Sequence, residues 1–327
     1  MPLFKRSSTR EEGVTLFFAT DIHGSEVCWR KFVAAADFYG ADLLVLGGDF
    51  TGKLVVPVVA FGDRLRARFM GKEHDLHPDQ LAGFERRVAD AGFYAARLDP
   101  DQYAGLEADP AEVDRLFRRL MTERLIAWIA YARAKLDGSA IQILTAPAND
   151  DPFFIDEVIV EQGGDLFVNV ENRVVEIAPG HEMISTGYTN RTPWDTPREF
   201  DEEVILAHID QMALRLSSPS TAVFNIHPPP FGTQLDLAPR LNEHLEMVTS
   251  SGAAVMDHVG SKAVYDAIER NQPLLGLHGH IHESAGRDVI GRTSVLNPGS
   301  EYGEGVLKGA LVRIGGGRIQ SYQATSG

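Results

Sequence analysis

Three histidines alternate with small or apolar residues late in the chain, in the run Leu277-His278-Gly279-His280-Ile281-His282. The run directly follows the apolar segment 273–277, which is typical of a buried strand. Neutral imidazole is the commonest metal ligand among side chains. Two histidines one residue apart can bind two neighbouring ions, so His280 and His282 are candidate ligands of a metal pair.

Metal-competent side chains also follow four other short apolar runs. They are Asp21 and His23, Asp49, Asn149, and His227. Open α/β sheets bind their ligands beyond the carboxyl ends of the strands, so we expect all seven side chains to converge. Mixed carboxylate, imidazole and amide-oxygen ligands suit manganese, iron or zinc. The lack of thiolates in the set argues against a structural zinc site or an iron–sulfur cluster.

The elements that must position these residues are strands and helices in alternation, which predicts an α/β fold. The first unit is a strand over 14–19, a helix capped by Ser25 and ended by Gly40, and a strand over 42–46. Further strands are predicted over 140–145, 166–170, 174–177 and 221–226. Further helices are predicted over 111–136, 196–216 and 261–270, the second of them opened by the capping-box residues Thr196 and Glu199.

About a hundred residues separate Asp49 from Asn149, far more than one crossover helix needs. We predict that residues 54–110 form an insertion with a hairpin, turning at Gly62-Asp63, and a helix near 79–91. The insertion could overhang the site or be a peripheral addition. Because the sequence has no internal repeat or low-complexity linker, we predict a single domain over 1–327 that includes the insertion.

Composition limits the class of protein. The 327 residues are 44% hydrophobic and 24% charged, which is ordinary for a globular chain. No apolar stretch approaches the roughly 18 residues of a membrane span, and the polar stretch 1–15 predicts neither a signal peptide nor an anchor. A single cysteine, Cys28, fits a reducing compartment, so we expect a cytoplasmic protein. A net charge of −15 disfavours nucleic acid as a partner.

The ordered motifs resemble those of the calcineurin-like metallophosphoesterase superfamily. They are Asp-x-His at 21–23, Gly-Asp at 48–49, Asn-x-Asp at 149–151, His227, and Gly-His-x-His at 279–282. The resemblance covers nearly the whole chain outside 54–110. The stretch 48–53 and the Thr192-Pro193-Trp194 segment resemble a poorly characterised prokaryotic branch. The resemblance implies a two-layered β-sandwich flanked by helices, with two metal ions at the strand ends.

The resemblance also implies a role for each candidate ligand. The first ion would be held by Asp21, His23 and His282. The second would be held by Asn149, His227 and His280. Asp49 would bridge the two ions, for which manganese is expected, with iron or zinc as alternatives. The implied activity is hydrolysis of a small phosphodiester by a metal-bridged hydroxide, with His23 helping to stabilise the developing charge. We expect no membrane partner, and the oligomeric state stays open.

One departure from the family pattern concerns the leaving group. Ala148-Asn149-Asp150-Asp151 stands where many relatives have Gly-Asn-His-Asp, so Asp150 replaces a histidine often assigned as the proton donor. An unperturbed aspartate is ionised at neutral pH and is a poor acid. Asp150 could be catalytic with a raised pKa, His278 could replace it, or only good leaving groups would be cleaved rapidly.

Two other functions stay open. They are a phosphomonoesterase acting on a small phosphorylated metabolite, and a non-catalytic metal-binding scaffold. A nuclease is disfavoured by the acidic charge. Arg191, Arg198 and Lys53 could reach a phosphate, but solvated positions are expected for all three. The remaining histidines lack a strand-end context and are predicted to be surface or packing residues: His74, His77, His181, His208, His244 and His258.

Overall fold

The structure, a computed structural model, describes residues 13–327. The prediction that the polar stretch 1–15 is neither a signal peptide nor an anchor falls mainly on residues 1–12, which lie outside the described residues. In the described part of the chain, no helix is long and apolar enough to cross a membrane.

The described residues form strands and helices in alternation. The strands are β1 (Val14–Ala19), β2 (Leu43–Leu46), β3 (Val55–Phe61), β4 (Arg64–Phe69), β5 (Lys72–Leu76), β6 (Tyr94–Leu98), β7 (Ile143–Thr145), β8 (Phe167–Asn169), β9 (Arg173–Ala178), β10 (His181–Thr186), β11 (Val223–Ile226), β12 (Leu237–Pro239), β13 (Thr249–Ser250), β14 (Ala253–Ala254), β15 (Met256–His258), β16 (Leu275–Leu277), β17 (Gly286–Ile290), β18 (Thr293–Asn297), β19 (Lys308–Gly315) and β20 (Arg318–Ser326). The α-helices are α1 (Glu26–Tyr39), α2 (Leu81–Asp90), α3 (Pro100–Ala108), α4 (Pro110–Lys135), α5 (Phe154–Gly163), α6 (Glu202–Ala213) and α7 (Lys262–Asn271).

Two six-stranded sheets form the centre of the fold. The first has the order β20-β19-β1-β2-β7-β8, and the second has the order β17-β18-β16-β11-β10-β9. Four strands of each sheet are parallel: β1, β2, β7 and β8 in the first, and β10, β11, β16 and β18 in the second. Each parallel set therefore presents all its carboxyl ends at one edge.

The two sheets pack face to face, with helices on both outer faces. Because successive side chains of a strand point to opposite faces, Leu16 and Phe18 of β1 lie in the core between the sheets, while Phe17 packs with α1 and α4. In β11, Val223 faces the first sheet and Phe224 packs with α6 and α7. The predicted fold, a β-sandwich flanked by helices with an inserted segment, is confirmed.

The insertion between β2 and α4 forms a sheet of its own, in the order β5-β4-β3-β6. The predicted hairpin is confirmed as β3 and β4, which turn between Phe61 and Arg64. Helix α2 covers this sheet by packing Phe84 and Val88 against Val56 and nearby apolar residues. Strands β5 and β6 and helix α3 were not predicted. The assignment of the whole chain to one domain stays a prediction.

The helix predicted over 196–216 begins later than expected. Helix α6 starts at Glu202, because the Glu199 carboxylate accepts hydrogen bonds from the backbone N–H groups of both Thr192 (2.8 Å) and Thr196 (3.1 Å). Glu199 therefore closes the loop 192–199 instead of opening a helix. Strand β10, which the sequence reading missed, lies between β9 and β11 in the second sheet.

Candidate metal centre

The seven predicted ligands lie in loops that directly follow β1, β2, β7, β11 and β16. The structure brings six of them into two groups whose ligand atoms lie within 4.8 Å of one another in each group. The first group is Asp21, His23 and His282. The second group is Asp49, His227 and His280. Both groups can hold a metal ion, and they match the sets that the resemblance implies, apart from Asn149.

In the first group, His282 lies between the other two side chains. Its Nε2 atom is 3.2 Å from Asp21 Oδ1 and 3.1 Å from His23 Nε2. The distance from His23 Nε2 to Asp21 Oδ1 is 3.8 Å. Two imidazole nitrogens and one carboxylate oxygen therefore point at a common space, which is the arrangement that a metal ion requires.

In the second group, His227 Nε2 is 3.3 Å from Asp49 Oδ2, and the rings of His227 and His280 are 5.5 Å apart. The same carboxylate oxygen of Asp49 lies 4.0 Å from His23 Nε2, and His227 Nε2 lies 3.7 Å from Asp21 Oδ1. Asp49 thus stands between the two groups, so that one continuous cluster contains both.

Asn149, the seventh predicted ligand, has a free side-chain oxygen. Its amide nitrogen donates to Thr196 Oγ1 at 3.1 Å, while its Oδ1 atom is buried and has no hydrogen-bond partner. The neighbouring backbone N–H of Asp150 donates to Asp49 Oδ1 at 2.9 Å, which fixes this loop beside the cluster. A buried oxygen without a partner is unfavourable, and a bound cation would satisfy it.

Four of the candidate ligands have left-handed backbone conformations, with φ values of 54° at Asp21, 37° at His23, 50° at Asp49 and 66° at His280. This conformation is unfavourable by roughly 1–2 kcal/mol for a residue with a Cβ atom. Backbone hydrogen bonds hold two of the turns, from Asp21 N to Gly48 O and from His23 N to Asp49 O, both at 3.0 Å. Strain of this kind is typical of functional sites, and it fits the turning of several strand ends toward one point.

The orientation of His227 suits a metal ligand. Its Nδ1 atom is 2.9 Å from the Gly47 carbonyl oxygen, which fixes the proton on Nδ1 and leaves Nε2 buried without a hydrogen-bond partner. In many metal-bound histidines, a hydrogen bond from the other ring nitrogen to a carbonyl or carboxylate oxygen sets the tautomer. The donor set and its unpartnered atoms therefore fit a metal centre.

His278 points away from the cluster. Its Nδ1 atom contacts the carbonyl oxygens of Ile226 (2.7 Å) and Pro228 (3.1 Å), on both sides of His227. Its Nε2 atom lies so close to Gly276 that a Cβ atom there would approach it to 2.6 Å. His278 therefore supports the loop that carries His227, and this orientation excludes it as a direct proton donor to a leaving group.

The charges inside the cluster are those of a site that needs a cation. Burial works to raise the pKa values of Asp49 and Asp21, but neighbouring side chains, His227 foremost among them, together hold both pKa values below their usual range. Burial works to lower the pKa of His227, but Asp49 and Asp21 raise it to about 9. Burial lowers the pKa of His23 to about 3 and that of His280 to about 4. A proton on His227 thus supplies the positive charge beside these buried carboxylates, a charge that a bound metal ion would supply instead.

Lys53 lies at the open side of the cluster, against the Asp150 carboxylate. Burial and the Asp49 carboxylate raise the pKa of Asp150 to about 7. The Asp150 Oδ2 atom is also 3.9 Å from His23 Nδ1, which is buried and unpartnered. The ring of Tyr302 packs against His23, with 4.7 Å between ring centroids. These side chains form a rim around the cluster, and the Lys53 side chain stays 42% exposed.

Buried Asp151 holds the loop that carries Lys53. Its carboxylate accepts hydrogen bonds from the backbone N–H of Thr51 (2.9 Å), the Thr51 hydroxyl (2.8 Å) and the backbone N–H of Ala148 (2.9 Å). It therefore ties the loop after β2 to the loop after β7. The sequence reading named Asp151 within a motif but gave it no role, and it did not consider Tyr302. The sequence feature that pointed to Lys53 as a residue near the site was its position four residues after Asp49.

The insertion touches the loops of the site. The backbone of Gly92, between α2 and β6, approaches the His23 carbonyl oxygen so closely that a Cβ atom could not fit. Ser25 donates to the Asp90 carbonyl oxygen at 2.6 Å, and the Gly52 N–H donates to the Tyr94 hydroxyl at 2.9 Å. The insertion therefore packs against the backbone of the two loops that carry His23 and Asp49.

The predictions for Arg191 and Arg198 have different outcomes. Arg191 is exposed and pairs with Asp201 at 3.0 Å, as expected for a solvated loop residue. The prediction for Arg198 is wrong, since its side chain is 1% exposed, donates to the Asp151 carbonyl oxygen and pairs with Asp156 at 2.9 Å. Among the described residues, the six histidines predicted to lie elsewhere belong to none of the candidate metal groups.

No family model matches the sequence. An uncharacterized protein of Methanocaldococcus jannaschii is 28% identical over 161 residues, which are 48% of this chain and 64% of that relative. The match thus spans less than two thirds of the relative's length.

Several solved structures are similar in shape. One crystal structure has a TM-score of 0.54 at 14% identity and covers 95% of this chain and 99% of its own. TT1561 of Thermus thermophilus has a TM-score of 0.49 at 12% identity, covering 91% and 93% of the two chains. An archaeal phosphodiesterase has a TM-score of 0.37 at 9% identity, covering 95% and 99%. Only the first likeness bears on this chain, and it concerns the fold alone.

Proposed function

We propose that this protein is a metal-dependent phosphoesterase that binds two divalent ions and hydrolyses a phosphodiester. The observation that carries the proposal is the cluster of two carboxylates and four imidazoles, beside which the buried Asn149 Oδ1 lacks a hydrogen-bond partner. Such a cluster is unstable without positive charge. The proposed ligands are those inferred from the sequence, with Asp49 shared between the ions and manganese as the expected metal.

Two divalent ions in such a cluster, when bound, supply an activated water molecule and neutralise the charge on phosphoryl oxygens. The protein's own contribution is to fix the ligands before the ions bind. The left-handed turns at Asp21 and Asp49, together with the contact between His227 and the Gly47 carbonyl oxygen, hold their side chains toward the centre. A preorganised site loses little entropy when metal and substrate bind.

We assign Lys53 to the binding of the substrate phosphoryl group. A lysine ammonium beside two divalent cations is repelled by them, so its position is favourable when an anion lies between. Asp150 holds the ammonium group at the rim, and the clamped loop at Thr51 limits its movement. Lys53 is partly exposed, so an entering substrate can reach it.

We assign His23 and Asp150 to the leaving-group side of the site. His23 faces the cluster through Nε2, and its buried Nδ1 atom faces Asp150 Oδ2 at 3.9 Å without a hydrogen-bond partner. A leaving oxygen between these two side chains could accept a hydrogen bond from His23 Nδ1–H. Asp150 would orient that imidazole and hold Lys53 in place.

A diester is favoured over a monoester by the charge of the rim. A phosphodiester carries one negative charge, whereas a monoester carries nearly two at neutral pH. Lys53 is the one basic side chain named in this rim, so the rim offers one positive charge, which matches the single negative charge of a diester. The reaction proposed is therefore hydrolysis of a small phosphodiester.

The test uses purified protein that has been stripped of metal and then reloaded with manganese, zinc or magnesium. We expect hydrolysis of bis-p-nitrophenyl phosphate with manganese restored, and slower hydrolysis of p-nitrophenyl phosphate. His280→Ala should remove the activity, whereas His244→Ala, which changes an exposed histidine, should keep it. A metal-loaded protein that cleaves neither ester would contradict the assignment as an enzyme.

Because Asp150 stands where many relatives have a histidine, a non-catalytic metal-binding scaffold is the second candidate function. One variant distinguishes it from a phosphoesterase. Asp150→His restores the residue that the resemblance leads one to expect. A large gain in hydrolysis of esters with poor leaving groups would support an enzyme with a weakened donor. Metal binding that stays intact while both proteins remain inactive would favour the scaffold.

A further inference from the structure

An open cavity lined by polar and apolar residues lies at the opposite end of the sandwich from the metal centre. Its volume is about 400 Å³, and it is lined by residues of both sheets. Leu274 and Ser294 contribute from the amino ends of β16 and β18, and residues 318–322 contribute from β20, the edge strand of the first sheet. We call this cavity, with its lining arginines Arg287, Arg292 and Arg318, the arginine cleft.

Two of the arginines in the cleft are held by uncharged oxygen atoms. Arg292 donates through one terminal nitrogen to the carbonyl oxygens of Gln272 (2.6 Å) and Ser220 (3.0 Å). Arg287 donates through one terminal nitrogen to Ser294 Oγ at 2.8 Å and lies over the Tyr322 ring, 5.9 Å from its centroid. Each guanidinium is therefore fixed in place while its charge and its other N–H groups stay available.

The charges of the cleft are not compensated by neighbouring acids. None of the nine described residues that line it is acidic, and within residues 13–327 none of the three arginines forms an ion pair. Other surface arginines of this chain do pair, as Arg97 does with Glu85 and Arg240 with Asp257. In a protein with a net charge of −15, three uncompensated arginines around one cavity mark a local site for anions.

We propose that the arginine cleft binds a small organic phosphate, separately from the metal centre. Planar guanidinium groups match the oxygen atoms of a phosphate and bind it through paired hydrogen bonds. The side chains of Leu274, Ile319 and Tyr322 give the cleft an apolar part that suits the organic portion of the ligand. The volume falls within the range of small-molecule sites, which begins at about 300 Å³.

The test is isothermal titration calorimetry with adenosine 5′-monophosphate and, separately, inorganic phosphate. Arg318→Gln is the informative variant, because the Arg318 side chain has no hydrogen bond or ion pair within the described residues, so its loss should not disturb folding. Arg215→Gln is the control: Arg215 is also exposed and forms no ion pair within the described residues, but it lies outside the cleft, where it donates to two oxygen atoms of Asn172. Asp49→Asn, which removes the ligand shared by both metal groups, reports any binding at the metal centre.

We expect Arg318→Gln to weaken binding of the nucleotide by about tenfold or more, the usual effect of losing a charge-assisted hydrogen bond. Arg215→Gln should bind it as the parent does, and Asp49→Asn should keep the binding that depends on Arg318. Equal affinity in the Arg318 variant would overturn the proposal, as would loss of binding in Asp49→Asn or an equal loss in Arg215→Gln. Inorganic phosphate binding as tightly as the nucleotide would overturn the organic part of the ligand assignment.

Discussion

The two ends of the same β-sandwich have opposite chemistry. At the carboxyl ends of the parallel strands, buried carboxylates and imidazoles meet in one cluster, and four of these residues have left-handed backbone. At the amino ends of β16 and β18, exposed arginines surround a cavity with no acidic lining among its described residues. One end carries candidate ligands for cations, and the other carries side chains whose charge suits anions.

The difference lies in how each end is stabilised. The cluster is held by interactions that depend on one another, such as the bonds of Asp151 that join two loops and the contacts of Asp49 with both groups. The arginines of the cleft are held one at a time, by separate oxygen atoms. Single substitutions should therefore have large effects at the first end and small, local effects at the second.

The largest effect is expected from Asp49→Asn, which changes the carboxylate that stands between the two groups. A substitution of a residue that only supports a metal ligand lowers metal affinity or activity by about 10–100-fold. Removal of a ligand shared by two ions should therefore lower them by more than about 100-fold. Metal content and kcat/KM on a diester are the measurements. Asp257→Asn, which changes an exposed carboxylate, is the control. Full activity in the Asp49 variant would remove the basis for a shared ligand.

Lys53→Met should have the next largest effect. Loss of one charge-assisted hydrogen bond to the substrate should raise KM by about tenfold to a hundredfold, while the bound metal stays unchanged. Lys53→Arg should recover part of this loss, since it keeps the charge. The checks are steady-state kinetics on a diester and metal analysis, with Lys72→Met, in the exposed first position of β5, as control. An unchanged KM would contradict the role of Lys53 in binding.

Gly279→Ala tests the packing of the metal centre without changing a ligand. A Cβ atom at Gly279 would overlap Asp21 Oδ2 and Thr20 Oγ1, so Asp21 must move. We expect metal affinity to fall about tenfold, measured as a smaller rise in melting temperature on metal addition. Gly105→Ala, where a Cβ atom meets nothing within 4 Å, should respond to metal as the parent does. A parent-like response in the Gly279 variant would mean that the Asp21 position is not critical.

The smallest effect on catalysis is expected from Arg318→Gln. An exposed side chain far from the metal centre should change turnover by no more than about twofold. The measurement is kcat/KM on a diester with and without adenosine 5′-monophosphate. If this variant lost turnover in the absence of the nucleotide, the two ends of the sandwich would not be independent.

The sequence was most informative where a buried strand ends. Short apolar runs followed by Asp21, Asp49 or His227 predicted buried strands and the carboxyl ends at which these side chains meet. The signal is strong there because a strand with both faces buried reads as a continuous apolar run. It was weakest in β5, whose residues are mostly exposed, and in α6, where Glu199 closed a loop instead of opening a helix.

Contacts between distant loops could not be read from the sequence. Lys53 reaches Asp150 because Asp151 binds the backbone of Thr51, and a hundred residues separate those two positions. Arg198 is buried because it binds the loop 151–156, whereas its neighbours along the chain predicted an exposed site. The left-handed backbone at Asp49 likewise lies in a turn that contacts a distant one, since the His23 N–H donates to the Asp49 carbonyl oxygen.

The wide spacing of the candidate ligands has a consequence for the synthesis of the protein. Asp21 and His282, which contact each other, are 261 residues apart. During synthesis, Asp21 therefore lacks its contact with His282 until most of the chain has been made. Contacts of such long range form late and slowly, and binding that requires them stabilises only chains that have completed them. Metal uptake would then act as a final check on assembly, retaining chains in which both sheets have formed.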